Sequence, residues 1–274
     1  MANRDESEND SGRIETPHWR WAAASQQGAG HIVAGTLCQD AHRVYELPRG
    51  ILIAIVADGA GSASRSHDGS TLAVDTLGGY LAEALIPEET TEADLEVLLR
   101  RGFVAAYTAI KDLAEQNDLP ISDFHTTLAC AIVTRASVAI AHIGDGTIVC
   151  WDRPGELEVV ARPDHGEFAN STFFVTELPQ QLDHMHIRVM ARQCQGVALT
   201  TDGLLEVAFE DSYSEIKPWF PFFEPLIERV HNASIDNDLS ARMQAFLASP
   251  KIGNATNDDV TLIIAEWQEP VGLS

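Results

Sequence analysis

Basic residues are scarce in this 274-residue chain, because 18 lysines and arginines stand against 41 aspartates and glutamates and give a formal net charge of −23. A body this acidic repels the phosphate backbone of nucleic acids and anionic membrane surfaces, and no basic cluster offsets the repulsion. We therefore expect neither nucleic acid nor a membrane as a partner. The excess of carboxylates has two explanations: it serves solubility alone, or some of the carboxylates bind cations.

Cysteine is also rare: the four residues Cys38, Cys130, Cys150 and Cys194 lie far apart and form no C-x-x-C pair. This spacing argues against a zinc site or a redox pair and indicates reduced cysteines in the core. The N-terminus lacks the apolar segment of a signal peptide, and the longest apolar run, residues 51–57, is too short to span a bilayer. The sequence thus predicts a cytoplasmic protein.

The chain shows no internal repeat and no Gly/Ser-rich linker. Residues 1–16 are polar, acidic and without periodicity, which predicts a disordered acidic tail. The remainder, residues 17–270, is expected to form a single domain, since a chain with 45% hydrophobic residues can bury a substantial core.

Five apolar runs are typical of strands buried on both faces. They cover residues 51–57, 128–133, 138–143, 197–201 and 260–265. The short gap between the second and third runs predicts a hairpin. Helical spacing predicts one helix after Ser66 and another whose apolar stripe runs from Leu95 to Leu113, with Thr91 and Asp94 as its capping pair. This order indicates an α+β protein with helices layered on sheets.

Aspartates border four of the predicted strands: Asp58, Asp145 and Asp202 follow strands beside a glycine, and Asp258 precedes one. A single Asp-Gly is most simply a turn. Four such aspartates at the ends of core strands favour a shared site, where carboxylates repel one another unless something neutralises them. Ligands that are all oxygen favour Mg²⁺ or Mn²⁺.

Six segments, in order and spanning about residues 35 to 262, resemble the type 2C protein phosphatase family of the compact bacterial kind. They are Gly35–Ala41 (GTLCQDA), Val56–Ser62 (VADGAGS), Thr126–Leu128 (TTL), Ile143–Gly146 (IGDG), Thr201–Glu206 (TDGLLE) and Asp258–Thr261 (DDVT). Each segment alone is weak evidence for the resemblance, but six segments in the order of the family are strong evidence. The resemblance implies a four-layer α-β-β-α sandwich with a central antiparallel β-sandwich and a metal centre at one edge.

The resemblance also implies ligands for two tightly bound Mg²⁺ or Mn²⁺ ions. Asp58 is expected to bridge both ions, and the Gly59 carbonyl to bind one of them. Asp202 and Asp258 are expected to complete the pair. Asp40 is expected to act as a ligand or to support the ligands.

Asp145 and Glu206 match family positions that hold a third, weaker metal ion. The implied reaction is direct hydrolysis of phosphoserine or phosphothreonine in a protein by a water that bridges the metals, with a Ser/Thr kinase as the opposing partner. A phosphatase with an aspartyl nucleophile would need Asp-x-Asp, which residues 58–60 lack. The other alternative is a sensor or binding module that keeps the fold without catalysis.

Two departures from the family pattern motivate that alternative. Gln39 stands where the family usually has glutamate, and Gly35 stands where it has the arginine that grips the phosphate. We predict that Arg65, on the loop before the first helix, supplies the missing cation, because a guanidinium binds phosphate with paired hydrogen bonds. His31 and His42, which flank the first motif, are the next candidates.

The polar stretch at residues 162–172 has no periodicity. In the family this region, about residues 162–188 here, carries a flap beside the active site, and a plain surface loop is the equal alternative. His142 lies inside an apolar run and is predicted to be a core histidine. The aromatic run Trp219–Phe223 is predicted to pack in the core.

Overall fold

The computed structural model describes residues 18–85, 91–153, 155–164, 172–212, 215–233 and 238–269. The predicted disordered tail, residues 1–16, lies outside these ranges, and so does the middle of the polar stretch, residues 165–171. Within the described ranges, no helix has the length and apolar character needed to cross a membrane.

The described residues form strands and helices in a mixed order along the chain. The strands are β1 (His18–Gln26), β2 (Asp40–Leu47), β3 (Ile51–Asp58), β4 (Leu128–Val133), β5 (Val138–Ile143), β6 (Thr147–Trp151), β7 (Leu157–Ala161), β8 (His186–Met190), β9 (Gly196–Thr200), β10 (Phe209–Ser212), β11 (Glu215–Pro218) and β12 (Val260–Gln268). The helices are α1 (Ala29–Ala34), α2 (Ser66–Ala84), α3 (Glu92–Gln116), α4 (Leu205–Ala208), α5 (Phe220–His231), α6 (Leu239–Leu247) and α7 (Pro250–Gly253).

Ten strands form two antiparallel sheets of five strands each. Sheet I has the order β2-β3-β4-β5-β8, sheet II has the order β1-β12-β9-β6-β7, and β10 and β11 form a separate hairpin. The predicted β4–β5 hairpin is confirmed, with Leu128 opposite Ile143 and Val133 opposite Val138. All five predicted strands are present in these sheets.

Three layers of apolar side chains hold the sheets and helices together. Alternate residues of β3 point to opposite faces, so Ile53 and Ile55 pack with α2 and α3, whereas Leu52 and Val56 pack between the two sheets. Helices α5, α6 and α7 cover the outer face of sheet II. The arrangement confirms the predicted α-β-β-α sandwich and explains why β3 is buried on both faces.

Both predicted helices are confirmed. At the start of α3, the Thr91 side chain accepts from the Asp94 N–H and the Asp94 side chain accepts from the Thr91 N–H, which is the predicted capping box. Helix α2 packs so tightly on the turn at residues 121–124 that a Cβ on Gly69 would lie 2.2 Å from the Phe124 carbonyl oxygen. This contact seats the segment that leads into Thr126.

Strand ends from both sheets meet at one edge of the sandwich. In sheet I, Asp40 and Asp58 are direct partners across β2 and β3, and Leu128 at the start of β4 faces the end of β5. In sheet II, Thr200 at the end of β9 faces Leu262 near the start of β12. The predicted site residues that border these strands, Asp40, Asp58, Asp145, Asp202 and Asp258, therefore all enter the same region.

Candidate metal centre

Three carboxylates converge at this edge, each placed by the end of a different core strand. Asp58, Asp145 and Asp202 offer oxygen atoms that all lie within 4.8 Å of one another. Carboxylates this close repel unless a proton or a cation neutralises them. A set of ligands made only of oxygen fits Mg²⁺ or Mn²⁺, so the residues present fit the cofactor that the sequence implies.

The backbone of Asp58 is fixed by the segment that precedes β4. Its N–H donates to the Thr127 Oγ1 at 3.0 Å, and its carbonyl accepts from the Thr126 Oγ1 at 2.9 Å and from the Thr127 N–H at 2.8 Å. These contacts give a structural role to the Thr126–Leu128 motif, because they hold the end of β3 in place. The next residue, Gly59, donates its N–H to the Gln39 carbonyl at 3.2 Å.

Asp40 faces Asp58 and is held by hydroxyl groups. Its Oδ2 accepts from the Thr201 Oγ1 and the Thr261 Oγ1, each at 2.7 Å. Its Oδ1 is buried and has no hydrogen-bond partner among the described residues. An orphaned buried carboxylate oxygen is costly unless a ligand occupies it, so Asp40 presents one oxygen to the protein and keeps the other available to a cation.

Burial and mutual repulsion raise the pKa of these acids. Burial, together with the nearby charges of Asp259 and Asp202, raises the pKa of Asp40 to about 8, although the hydrogen bonds from Thr201 and Thr261 act in the opposite direction. Burial, followed by the charges of Asp40 and Asp202, raises the pKa of Asp58 well above its usual range. A bound cation favours the ionised carboxylates and so lowers their pKa. We therefore expect these acids to lose their protons as the metal binds.

A relay of hydroxyl groups supports Asp40 from the side away from the acids. The Thr261 Oγ1 lies 2.7 Å from both the Asp40 Oδ2 and the Ser25 Oγ, and the Ser25 Oγ lies 2.8 Å from the His42 Nδ1. Since a hydroxyl has one proton, Thr261 donates to Asp40, Ser25 donates to Thr261, and His42 donates to Ser25. Burial lowers the pKa of His42 to about 4, so this imidazole is neutral and does not supply a cation for phosphate.

Asp258 lies on the sheet II side of the centre. Burial is the largest cause that raises its pKa, and the nearby charge of Asp202 is the next. Asp202, Glu206 and Asp258 line a cavity of about 430 Å³ together with residues 254–257. The two predicted residues of the third metal site are thus placed differently, since Asp145 belongs to the converging trio and Glu206 lines this cavity.

Asp259 is a residue that the sequence analysis did not single out. It is 2% exposed, and its carboxylate accepts from the Gly28 N–H at 2.7 Å and from the Gln39 N–H at 2.5 Å, while the His31 Nδ1 lies 2.9 Å away. Asp259 therefore ties two segments, the N-terminal end of α1 and the residue before β2, to the start of β12. Only its position beside Asp258 could have drawn attention to it.

The predicted phosphate-binding cation, Arg65, lies at the start of α2. Its Nε is 2.5 Å from the Asp68 Oδ2, and its guanidinium lies over the Phe124 ring, 5.6 Å from the centroid. The side chain is 40% exposed. Gly35, at the family position for arginine, ends α1 with a φ of 70° and has open space around it.

Part of the region predicted to form a flap packs directly beside the centre. Val175 is fully buried, and its N–H donates to the Thr126 carbonyl at 2.9 Å. The neighbouring Phe174 ring stacks on His125 with the centroids 4.7 Å apart. Whether residues 162–188 act as a flap stays a prediction, and residues 165–171 lie outside the described ranges.

Comparison with known proteins gives a consistent result. The family described as "Protein phosphatase 2C" matches residues 27–248. The chain is 30% identical over 257 residues to Serine/threonine-protein phosphatase 3 of Escherichia coli (strain K12), with 92% of this chain and 99% of that protein covered.

Solved structures with the same fold include three phosphatases. Serine/threonine phosphatase Stp1 from Staphylococcus aureus has a TM-score of 0.64 at 16% identity, with 94% of this chain and 99% of that chain covered. A bacterial serine phosphatase has a TM-score of 0.65 at 16% identity, covering 93% and 100%. The catalytic domain of the serine threonine protein phosphatase PstP, in complex with 2 manganese ions, has a TM-score of 0.60 at 20% identity, covering 92% and 99%.

Proposed function

The chain belongs to the protein phosphatase 2C family, and on that premise we propose that its strand-end carboxylates bind two Mg²⁺ or Mn²⁺ ions and serve the hydrolysis of phosphoserine and phosphothreonine in proteins. It is a metal-dependent serine/threonine protein phosphatase, and its substrate is a phosphorylated protein. The observation that carries the proposal is the convergence of Asp58, Asp145 and Asp202 within 4.8 Å.

We assign the tight metal pair to residues on both sheets. Asp58 would hold both ions, Asp202 and Asp258 would complete the set, and the Gly59 carbonyl and Asp40 would contribute from the sheet I side. When bound, the ions lower the pKa of water and neutralise charge on the phosphoryl oxygens. The chain's own contribution is to hold these oxygen ligands rigidly, through the hydrogen bonds that Thr201 and Thr261 donate to Asp40 and those that fix the backbone of Asp58.

A simple turnover assay tests the function. Purified protein with Mn²⁺ or Mg²⁺ is expected to hydrolyse p-nitrophenyl phosphate and phosphopeptides, and Zn²⁺ is expected to support less activity, because the ligands are all oxygen. Folded, metal-loaded protein that turns over none of these substrates would favour the alternative, a sensor or binding module with this fold. Gln39 in place of glutamate and the missing arginine at Gly35 are the features that favour that alternative.

Asp58→Asn tests the central ligand. We expect loss of activity and of tight Mn²⁺ binding, measured by titration calorimetry. The metal-free variant is expected to be more stable than the metal-free parent at neutral pH, because the substitution removes repulsion from a buried acid. Asp112→Asn, which removes the same charge from an exposed position on α3, is the matched control. Unchanged metal binding in Asp58→Asn would show that this residue is not a ligand.

For the weaker third ion, we propose Asp145 and Glu206, which Asp202 connects, since it converges with Asp145 and lines the cavity with Glu206. Asp145→Ala or Glu206→Ala is expected to lower turnover more than it lowers tight metal binding. Steady-state kinetics and calorimetry on the same preparations separate the two effects. Loss of the tight pair in either variant would contradict the assignment.

We propose Arg65 as the residue that binds the phosphate of the substrate. The loop that leaves β3 carries it, and its position at the N-terminus of α2 suits an anion. To bind phosphate, the guanidinium has to exchange its contact with Asp68 for the substrate. Arg65→Ala is expected to raise KM for a phosphopeptide several-fold without loss of metal, and Arg65→Lys to restore it in part. Unchanged KM in Arg65→Ala would leave His31 as the next candidate, since His42 is neutral.

Family analogy further suggests a Ser/Thr kinase as the opposing partner, and we also propose a cytoplasmic location. The acidic surface, with its net charge of −23, favours a protein substrate over nucleic acid or an anionic membrane. These three points stay predictions. A phosphoproteomic comparison of cells with and without the active enzyme would identify the substrate and, from its phosphorylation site, the class of kinase.

A further inference from the structure

Helix α1 contributes nothing to the apolar core. None of its six residues is buried. Its side chains Ile32 and Val33 are 58% and 89% exposed, and Leu37, on the segment that follows, is 66% exposed. Most surface helices are held by an apolar face turned inward, whereas this helix turns its large apolar side chains outward.

The exposed apolar side chains are concentrated there. Among the described residues, the other exposed large apolar side chains are Val97, Val104, Leu182 and Phe220. Exposed apolar residues that occur singly are ordinary. Three of them within six residues form a patch, and such patches mark interaction sites. We call Ile32, Val33 and Leu37 the α1 patch.

Polar contacts fasten the opposite side of α1 to the metal centre. The Gly30 N–H donates to the Asn257 carbonyl at 2.8 Å, the Gly28 N–H donates to the Asp259 Oδ1 at 2.7 Å, and His31 pairs with the same carboxylate. A Cβ on Gly28 would lie 2.3 Å from the Asp258 carbonyl, so the two backbones touch. A helix of this length spans about 9 Å, so the patch adjoins the proposed ligand Asp258.

We propose that the α1 patch is a docking surface for an apolar side chain of the phosphoprotein substrate, close in sequence to the phosphorylated residue. This proposal rests on the proposed function, which requires the substrate to place its phosphate beside Asp258. An extended peptide advances about 3.3 Å per residue, so the docked side chain lies within about four residues of the phosphorylated one. The acids that line the neighbouring cavity, Asp202 and Glu206, disfavour acidic residues in the same stretch.

Charge favours the substrate over the other candidate occupants of the α1 patch. A second copy of this chain brings another net charge of −23, and an anionic membrane surface is repelled in the same way. A peptide segment avoids this repulsion and is already held beside the patch by its phosphate. The patch then selects among phosphorylated segments by their apolar residues.

The test compares two surface variants on matched substrates. The patch variant carries Ile32→Ser, Val33→Ser and Leu37→Ser. The control variant carries Val97→Ser and Val104→Ser, which remove side chains that are each 46% exposed on α3. The substrates are p-nitrophenyl phosphate and two phosphothreonine peptides that differ only in having leucine or serine at the positions around the phosphothreonine.

With Mn²⁺ present, the patch variant is expected to lose about tenfold in kcat/KM on the leucine peptide, through KM, because burial of one apolar side chain changes affinity by about that factor or more. Its kcat/KM on the serine peptide and on p-nitrophenyl phosphate is expected to stay within twofold. The control variant is expected to match the parent on all three substrates.

An equal loss on both peptides, or no loss on the leucine peptide, would overturn the proposal. So would a parent dimer that dissociates in the patch variant on size-exclusion chromatography, or anionic vesicles that sediment the parent and not the variant, since the patch would then serve another occupant. Failure of the proposed function shows separately, as a parent protein that hydrolyses neither p-nitrophenyl phosphate nor either peptide.

Discussion

At the scale of single residues, His142 shows how the fold uses a titratable group in its core. It lies in β5, is 6% exposed, and donates from Nε2 to the Arg162 carbonyl at 3.0 Å. Its Nδ1 is buried without a hydrogen-bond partner among the described residues, and its ring lies 5.0 Å from that of His186. Burial, followed by the charge of His186, lowers the pKa of His142 to about 4, which confirms a core histidine.

The lowered pKa of His142 predicts a loss of stability in acid. The folded protein keeps this histidine neutral, whereas the unfolded chain binds a proton below about pH 6.5. The free energy of unfolding is therefore expected to fall by roughly 3 kcal/mol as the pH falls from about 6.5 to about 4. His142→Gln keeps a donor for the Arg162 carbonyl and does not titrate, so its free energy of unfolding should fall less over this range. Parallel urea titrations check this, and equal pH slopes would contradict it.

The site residues that were predicted are marked by the sequence next to them. Those that were missed act through contacts with distant segments of the chain. Asp58, Asp145 and Asp202 each stand beside a strand-forming run, so local pattern marks them. Asp259 and Thr261 act through contacts with segments more than 200 positions away, such as Asp259 with Gly28. Local pattern carries no information on which distant segments meet, so their roles appear only in the folded chain.

At the scale of elements, two glycines of α2 make a matched pair. A Cβ on Gly69 would lie 2.2 Å from the Phe124 carbonyl oxygen, whereas a Cβ on Gly79 would meet nothing within 4 Å. Gly79→Ala is expected to stabilise the protein by about 1 kcal/mol, because alanine favours the helix. Gly69→Ala is expected to destabilise it by about 1–3 kcal/mol, because backbone has to move. Thermal unfolding of both variants measures whether each one is stabilised or destabilised. A stabilising Gly69→Ala would show that the backbone at Phe124 moves away from the new Cβ at little cost.

Deep burial marks the strands that were predicted, although β6 is also buried throughout and was missed. Runs such as Ile51–Ala57 are apolar at every position because they have packed layers on both sides. The strand β2 escaped prediction because it is only half-buried along much of its length and mixes charged with apolar residues. Helix α1 escaped because it buries no residue, so no helical period of apolar residues marks it.

At the scale of the whole molecule, the net charge of −23 and the clustered carboxylates both oppose folding until cations are present. We expect the melting temperature of the metal-free protein to rise with NaCl, because salt screens self-repulsion. Mn²⁺ should raise the melting temperature further by mass action, because one bound ion adds about 2.7 kcal/mol to the free energy of unfolding at a hundred times Kd. Calorimetric scans with chelator, salt and Mn²⁺ check both effects. A melting temperature insensitive to salt would show that the charge is too dispersed to matter.

The order of strands in sheet II has a consequence for synthesis of the chain on the ribosome. Sheet I draws its strands from residues 40–190, but sheet II places β12 between β1 and β9. Strand β1 therefore waits for β12, which follows it much later in the chain, before it has a hydrogen-bonded neighbour. Asp258 and Asp259 emerge with β12, so a nascent chain can assemble sheet I before the proposed ligand Asp258 is available. On the proposed ligand set, catalytic competence is acquired only after β12 has been translated, which keeps shorter nascent chains from acting on phosphoproteins.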